Sequence, residues 1–344
     1  MSTLIKALVV DDSAFVRKVV KEMLGRSPLI EVVGVARDGA EALELVEKLK
    51  PSVVTCDLMM PGMDGIGFVR EQMKRRPLPI LILTATPEDG EKALEAMEAG
   101  AVDIVQKPTA RATNEILSIR DELVDKVKGA AQASASKLQP ITAPPRLPRP
   151  TIKREVETKI IVIGISTGGP QALRYLIPQF PANFPVPIAM VLHMPVGYTE
   201  MFAQKLNEIS MLKVIEAKDG SLLHPGTALL AAAGRHLMLR RAGGEVVAQL
   251  SATPFDTPHR PSADVLFQSA SECYGSKVLG VVMTGMGDDG KKGAAWIKAQ
   301  GGTVLTEAEG SCVIYGMPRS VVEAGLSDAS ATLDEMLQTI LDRL

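Results

Sequence analysis

The sequence predicts an α/β protein with two domains, each built on a mainly parallel sheet. Short apolar runs typical of buried strands alternate with segments whose apolar residues recur at helical spacing. This alternation runs over residues 4–128 and starts again at residue 159, with a proline-rich stretch between the two series. A chain of 344 residues is long enough for two domains at roughly 100–200 residues each.

The first series predicts five strands and five helices in strict alternation. Apolar runs place the strands at residues 4–10, 30–36, 53–56, 80–83 and 102–105. Helical spacing of apolar residues places the helices at residues 15–24, 40–49, 66–74, 91–99 and 116–127. Because repeated strand–helix units form a parallel sheet covered on both faces, residues 1–128 are expected to form one domain.

The stretch over residues 129–158 is the predicted linker. Five prolines fall between Pro140 and Pro150, among alanine, serine and basic residues. Such a composition cannot bury a core, so we expect an extended and partly flexible tether.

The second series predicts another α/β domain over residues 159–344. The expected strands lie at residues 159–165, 187–192, 213–217, 278–283 and 303–305. The expected helices lie at residues 171–177, 199–209, 262–274 and 291–300, with a closing helix after Leu333. Residues 227–232, 236–241 and 245–251 are interpreted as short antiparallel strands, with a hairpin turn at Gly243-Gly244.

Composition and charge exclude several classes of protein. The 38 basic and 40 acidic residues give a net charge of -2, which argues against a nucleic-acid-binding protein. Three widely spaced cysteines suit a reducing compartment. The amino terminus lacks the apolar segment of a signal peptide, and no apolar run approaches the ~20 residues of a membrane helix. We therefore expect a cytoplasmic protein that does not insert into the membrane.

Five polar residues lie at strand ends in the first domain. Asp11 and Asp12 follow the first strand, and Asp57 follows the third. Thr84 ends the fourth strand and Lys107 the fifth. Ligands of open parallel sheets bind at the carboxyl ends of the strands, so these side chains are expected to converge. Three carboxylates favour a hard divalent cation such as Mg²⁺, and the hydroxyl and ammonium groups suit a phosphoryl group.

The first domain resembles the receiver domain of two-component response regulators. The matching segments are Val9-Val10-Asp11-Asp12-Ser13, Asp57 within Thr55–Gly65, Leu83-Thr84-Ala85 and Lys107-Pro108. The resemblance implies a flavodoxin-like fold. It makes Asp57 the phosphorylated residue, Asp11 and Asp12 acids of the Mg²⁺ site, Thr84 the switch hydroxyl and Lys107 the phosphate contact.

A hydroxyl, an imidazole and a carboxylate also lie at strand ends in the second domain. Ser166 opens a glycine-rich turn, Ser166–Pro170, after the strand at 159–165. His193 ends the next strand, whereas the other three histidines are assigned to turns or the surface. Asp288 and Asp289 follow the strand at 278–283, and either could orient the histidine. The pattern indicates a hydrolytic triad, which is recognised by geometry and not by chain order.

A dinucleotide-binding site is the competing interpretation of one loop. Gly285–Gly290 has the form G-x-G-x-x-G between a strand and a helix, and Glu307 follows the next strand. The loop lies late in its domain, however, and Asp288 and Asp289 would direct negative charge at a pyrophosphate. Both features count against this alternative.

From residue 159 to about residue 326 the chain resembles the catalytic domain of the CheB chemotaxis methylesterase family. The matching segments are Gly164–Pro170, His193-Met194-Pro195, Arg260–Phe267 and Met283–Gly290. The resemblance implies a doubly wound, mainly parallel sheet. It makes Ser166 the nucleophile, His193 the base and Asp289 the orienting acid. Met286 then supplies a backbone N–H to the oxyanion and Thr167 lines the site, while the position of Asp288 is often Asn.

The two resemblances together imply an esterase regulated by phosphorylation. The implied substrates are glutamyl methyl esters, and also glutamines, on methyl-accepting chemoreceptors. The implied phosphodonor is a chemotaxis histidine kinase, and the esterase itself is expected to need no cofactor. Two alternatives stay open: a binding-only regulator with an inactive hydrolase half, and a hydrolase of this family that serves another pathway.

Overall fold

The computed structural model describes residues 4–85, 89–107, 113–133, 138, 156–254 and 256–344. Contacts within the chain define two compact units, Met1–Pro140 and Ile141–Leu344. Each unit is described by itself. Most of the predicted linker lies outside the described residues.

The first unit is a five-stranded parallel sheet with helices between successive strands. Its strands are β1 (Ile5–Val10), β2 (Ile30–Ala36), β3 (Val53–Asp57), β4 (Ile80–Thr84) and β5 (Asp103–Gln106). Its helices are α1 (Ala14–Leu24), α2 (Gly39–Leu49), α3 (Gly65–Arg75), α4 (Gly90–Glu98) and α5 (Thr113–Ala130). The strand order β2-β1-β3-β4-β5 is that of flavodoxin-like folds, as predicted.

Side-chain caps fix the starts of the first three helices in this unit. Ser13 accepts a hydrogen bond from the N–H of Val16, and Asp38 accepts one from Glu41. Asp64 accepts one from Gly67 at the start of α3. These caps satisfy N–H groups that have no partner inside the helix, and they set where each strand-to-helix loop ends.

The second unit is a seven-stranded parallel sheet with helices between its strands and a separate hairpin. Its strands are β6 (Ile160–Ile165), β7 (Ile188–Leu192), β8 (Lys213–Glu216), β9 (Thr227–Leu230), β10 (His236–Ala242), β11 (Glu245–Ser251), β12 (Val278–Val282), β13 (Thr303–Glu307) and β14 (Ala329–Ala331). Its helices are α6 (Gly169–Leu176), α7 (Thr199–Ile209), α8 (Ala263–Tyr274), α9 (Lys291–Ala299), α10 (Met317–Glu323) and α11 (Leu333–Leu341).

The order of the main sheet is β14-β13-β12-β6-β7-β9-β8. The strand β6 lies between β7, which follows it in the chain, and β12, which comes much later. The chain therefore reverses its direction of winding at β6, and in open α/β sheets ligands bind at the carboxyl ends of the strands beside such a point. A buried apolar cluster on the α8 side of the sheet, with Phe267 at 0% exposure, supports these strands.

One sequence-based expectation is wrong in this unit, and two short elements were missed. The segment assigned as an antiparallel strand at 227–232 is β9, which pairs in parallel with β7 and β8. Its residues are almost all buried, so it lacks the alternation of a strand with one wet face. The short elements α10 and β14 were not predicted, because seven and three residues are too few to show a period. The hairpin of β10 and β11 is antiparallel, as predicted.

Of the predicted linker, the structure describes residues 129–133, 138 and 156–158. Helix α5 continues through Ala130. At the other end, Glu157 N–H donates to the carbonyl of Leu344 at 3.1 Å, and the Thr158 hydroxyl donates to the carbonyl of Arg343 at 3.0 Å. Within the described residues, no helix combines the length and apolar character needed to span a bilayer.

Candidate functional site

The first site is the acidic cluster at the carboxyl ends of β1 and β3. Asp11, Asp12 and Asp57 each offer a carboxylate oxygen, and these oxygens lie within 4.8 Å of one another. Asp11 is fully buried and Asp57 is 4% exposed, whereas Asp12 faces solvent. Loop hydrogen bonds hold the cluster, since Asp11 Oδ1 accepts from Ser13 N–H at 2.9 Å. The predicted convergence of the three acids is therefore present.

Lys107 completes this cluster from the end of β5. Its ammonium lies 2.7 Å from Asp57 Oδ1 and 3.0 Å from Asp11 Oδ2. Thr84 is buried at the end of β4, and its carbonyl accepts the N–H of Lys107 at 2.7 Å. All five residues selected from the sequence thus lie on one rim of the sheet.

This cluster has an excess of negative charge, with three carboxylates beside the ammonium group of Lys107. Burial raises the pKa of Asp57, and the Asp11 carboxylate adds to the effect, although Lys107 acts in the opposite direction. Burial would lower the pKa of Lys107, but its contacts with Asp57 and Asp11 outweigh burial and raise it. Both directions follow from one cation among three carboxylates, so an additional cation would be favourable here.

The donor set fits a hard divalent ion. Carboxylate oxygens are the ligands that Mg²⁺ prefers, and a partly exposed cluster leaves room for water and phosphate oxygens. Asp11 Oδ2 is buried and accepts no hydrogen bond from the described residues, although the Lys107 ammonium lies beside it. An oxygen of this kind is suited to bind a metal ion.

The second site lies at the carboxyl ends of three neighbouring strands, β12, β6 and β7. Ser166 directly follows β6 and His193 directly follows β7, and these two strands pair through Ile165 and Leu192. Asp289 lies in the loop after β12. All three side chains are buried, at 5%, 8% and 6% exposure. The structure therefore brings the three candidate catalytic residues to one edge.

His193 and Asp289 form a direct pair. His193 Nε2 lies 2.8 Å from Asp289 Oδ2. The other ring nitrogen, Nδ1, is buried and has no hydrogen-bond partner within the described residues. In this orientation Nδ1 is the nitrogen that remains able to accept a proton, since Nε2 is engaged by the carboxylate.

Asp289 is held by four further hydrogen bonds. Its Oδ2 accepts from Ala263 N–H at 2.7 Å. Its Oδ1 accepts from the Ser262 hydroxyl at 2.7 Å, from Asp264 N–H at 3.0 Å and from Gly290 N–H at 3.1 Å. Burial alone would raise the pKa of Asp289, but His193 and these N–H groups outweigh it and hold the pKa well below its usual range. Asp289 is therefore ionised and fixed in place.

Asp288 takes no part in this pair. Its side chain is 64% exposed and its carboxylate lies 3.2 Å from the Lys291 ammonium. Of the two acids that position after a strand left open, Asp289, which the resemblance names, is the one that contacts the histidine.

The turn after β6 places Ser166 against the loop after β12. Ser166 N–H donates to the carbonyl of Thr284 at 3.0 Å, and the Thr284 hydroxyl donates to the carbonyl of Thr167 at 3.0 Å. A Cβ on Gly285 would lie 2.8 Å from Ser166 Cβ, closer than real contacts allow. Only glycine permits this approach of the two loops, and Met286 directly follows Gly285 in the chain.

Glu307 forms a hydrogen bond with the same loop, at Thr284. It is 1% exposed, and its carboxylate accepts from Thr284 N–H at 2.9 Å and from the Ser311 hydroxyl at 2.9 Å. A carboxylate that is buried and bonded in this way cannot reach a ribose, so the dinucleotide interpretation of this loop is not supported.

Sequence reasoning missed two histidines of this site. His259 is exposed and its ring stacks on the ring of His193, with centroids 4.1 Å apart. His236 is fully buried, and its Nε2 contacts the carbonyl of Pro254 at 3.0 Å, which ties down the loop that carries His259. Both had been assigned to turns or the surface. The only available signal was that His259 directly precedes the matching segment Arg260–Phe267.

Comparison with known proteins identifies the family of each domain. Residues 161–340 match the CheB methylesterase family, and residues 7–118 match the response regulator receiver domain. A curated relative from Myxococcus xanthus, named protein-glutamate methylesterase/protein-glutamine glutaminase 5, is 50% identical over 97% of this chain and 96% of its own length. A relative of the same general name from Halalkalibacterium halodurans is 41% identical over 99% of each chain.

A solved structure supports the assignment of the second domain. The crystal structure of the Thermotoga maritima CheB methylesterase catalytic domain is 41% identical, with a TM-score of 0.53. It covers 54% of this chain and 99% of its own. With the family match over residues 161–340 and relatives aligned over nearly the whole length, the chain belongs to the CheB methylesterase family, with a response regulator receiver domain preceding the methylesterase domain.

Proposed function

We propose that this chain hydrolyses glutamyl methyl esters on methyl-accepting chemoreceptors, and that it also converts glutamines there to glutamates. The contact between His193 and Asp289 carries this proposal, since it joins a base to a fixed carboxylate at the edge of the sheet where Ser166 also lies. The names of the relatives, protein-glutamate methylesterase/protein-glutamine glutaminase, support the same substrates. All three triad positions are filled, and His193 is paired with Asp289, which argues against a binding-only regulator.

The proposed reaction uses the groups of this site in turn. His193 Nδ1 removes the proton of Ser166, whose oxygen attacks the ester carbonyl. Backbone N–H groups, among them that of Met286, bind the oxyanion of the tetrahedral intermediate, and Thr167 lines the site. The imidazolium is stabilised by Asp289 and then protonates the methoxy oxygen of the intermediate, or the amide nitrogen when the substrate is a glutamine. The bond from the carbonyl carbon to that atom breaks, and methanol or ammonia leaves. Water activated by His193 hydrolyses the acyl-enzyme and regenerates Ser166.

We further propose that phosphorylation of Asp57 activates this esterase. Asp11, Asp12 and Asp57 would hold Mg²⁺, which neutralises phosphoryl oxygens when it is bound. Lys107, now paired with Asp57, would contact the phosphoryl group, and Thr84 would turn towards it. A chemotaxis histidine kinase is the phosphodonor that this role requires.

The cytoplasm is the compartment that suits this protein, with Cys56, Cys273 and Cys312 as buried free thiols.

The test is methanol release from methylated receptor membranes. The full-length protein should release methanol, and acetyl phosphate with Mg²⁺ should increase the rate. The Ser166→Ala variant should release almost none under either condition. Wild-type turnover by Ser166→Ala would overturn the esterase assignment, and a rate that is insensitive to acetyl phosphate would overturn activation by phosphorylation.

A further inference from the structure

Two helices of the second domain begin at the catalytic acid, and neither is capped by its own residues. The N-cap residues are Ser262 for α8 and Gly290 for α9, and neither uses a side chain to cap its own helix. The first N–H groups of a helix need acceptors, and a helix amino terminus favours a nearby negative charge. The acceptors for both helices therefore come from elsewhere.

The amino terminus of each helix is capped by a carboxylate that lies at the amino terminus of the other helix. The Asp289 carboxylate, just before α9, accepts from Ala263 N–H and Asp264 N–H at the start of α8. In return Asp264 Oδ1, in the first turn of α8, accepts from Gly290 N–H at 2.9 Å and Gly293 N–H at 2.7 Å. The two caps are reciprocal, so displacement of one acid removes support from the other.

The two carboxylates also share a donor. Gly290 N–H lies 2.9 Å from Asp264 Oδ1 and 3.1 Å from Asp289 Oδ1. The helices are tightly packed here, since a Cβ on Gly293 would lie 3.0 Å from Asp264 Cα and 2.5 Å from Phe267 Cβ. Little space is left for either acid to move independently of the other.

This arrangement disfavours the ionised form of Asp264, because its carboxyl group is buried and lies close to a second carboxylate. Burial raises the pKa of Asp264 to about 6, and the Asp289 carboxylate adds to the shift, while Gly293 N–H, Gly290 N–H and Lys292 act against it. Since the unfolded value is near 3.8, ionisation of Asp264 reduces stability as pH rises through about 6.

We propose that Asp264 is a positioning residue for the esterase, because its reciprocal cap fixes Asp289 against His193. The inference rests on the proposed esterase function. Asp264 touches neither the substrate nor His193 in this scheme. It acts through the backbone N–H groups of α9 and the loop that also carries Met286.

The experiment compares two variants of Asp264 in the full-length protein, with acetyl phosphate and Mg²⁺ in every sample. In Asp264→Asn one oxygen can still accept from both glycine N–H groups, whereas Asp264→Ala removes the acceptor. We expect kcat for methanol release to fall at least about tenfold in Asp264→Ala with KM unchanged, since small misplacements of catalytic groups have large effects. Asp264→Asn should stay within about threefold of wild type and unfold at no lower temperature at neutral pH.

A second readout does not depend on turnover. The proton between His193 Nε2 and Asp289 should give a downfield NMR resonance that persists in Asp264→Asn and is lost or shifted in Asp264→Ala. Glu272→Gln, an exposed change on the same helix, is the matched control and should behave as wild type.

Three outcomes would overturn the proposal: a wild-type kcat and resonance in Asp264→Ala, an equal loss of activity in Asp264→Asn, or an equal loss in the control. Failure of the esterase assignment would look different. In that case Ser166→Ala would retain methanol release, while the NMR comparison would still report whether Asp264 positions Asp289.

Discussion

Replacement of Asp289 by Asn tests the proposed catalytic pair of His193 and Asp289 most directly. The substitution keeps the size of the side chain and removes its charge, but an amide has only one oxygen. If the NH2 group replaced Oδ2, it would face both His193 and Ala263 N–H. If the NH2 group replaced Oδ1, the donor left without an acceptor would be mainly Asp264 N–H. Gly290 N–H would still donate to Asp264 Oδ1, and the Ser262 hydroxyl could rotate to accept from the NH2 group. In both orientations the remaining oxygen keeps its own donors. The second orientation leaves fewer donors unpaired, so we expect the variant to keep a neutral acceptor against His193.

The expected loss is then the attraction between Asp289 and the imidazolium that forms during the reaction. Two unit charges about 4 Å apart attract by about 4 kcal/mol at an effective dielectric constant near 20. That difference corresponds to about 10³-fold in kcat. One unpaired buried donor should also lower the free energy of unfolding by about 1–3 kcal/mol. Since folding lowers the pKa of Asp289, the stability difference should shrink as pH falls below the unfolded value of 3.8.

The assay is methanol release under saturating substrate, with thermal unfolding measured on the same samples. Asp288→Asn is the matched control, because Asp288 is adjacent in the loop but 64% exposed and paired only with Lys291. We expect Asp288→Asn to stay close to wild type. A folded Asp289→Asn protein with a kcat within about tenfold of wild type would refute the reasoning, since the buried charge would then contribute little to the transition state.

Further predictions concern the nucleophile and the receiver. Ser166→Ala and His193→Ala should each abolish most methanol release, and the double variant should be little slower than either, because the members of a triad act as one unit; additive losses measured by steady-state kinetics would contradict this. Acetyl phosphate with Mg²⁺ should add one phosphoryl group, detected by mass spectrometry, and chelation of the metal or Asp57→Asn should prevent it. Because folding raises the pKa of Asp57, its ionised form reduces stability as pH rises above the unfolded value of 3.8. Asp57→Asn should therefore unfold at a higher temperature than wild type at neutral pH without Mg²⁺, and an equal or lower temperature would be inconsistent with this account.

The sequence determined the fold class and the rim on which each site lies. Alternating apolar runs and helical periods predicted both parallel sheets, because buried strands and amphipathic helices leave distinct local patterns. In a parallel sheet every strand ends at the same edge, so residues such as Asp57 and His193 could be placed from their position after a strand. The strand β9 was wrongly predicted to be antiparallel. Its sequence shows a short buried strand, but it does not show which other strands lie beside it in the sheet.

Only the tertiary structure decided which groups touch. It paired Asp289, the acid implied by the family resemblance, with His193, it gave Asp289 the N–H groups at the start of α8, and it stacked His259 on His193. These contacts join residues that are 96, 26 and 66 positions apart in the chain. Their distances depend on how helices and loops pack against the sheet, and side-chain packing of this kind leaves no period or spacing in the sequence.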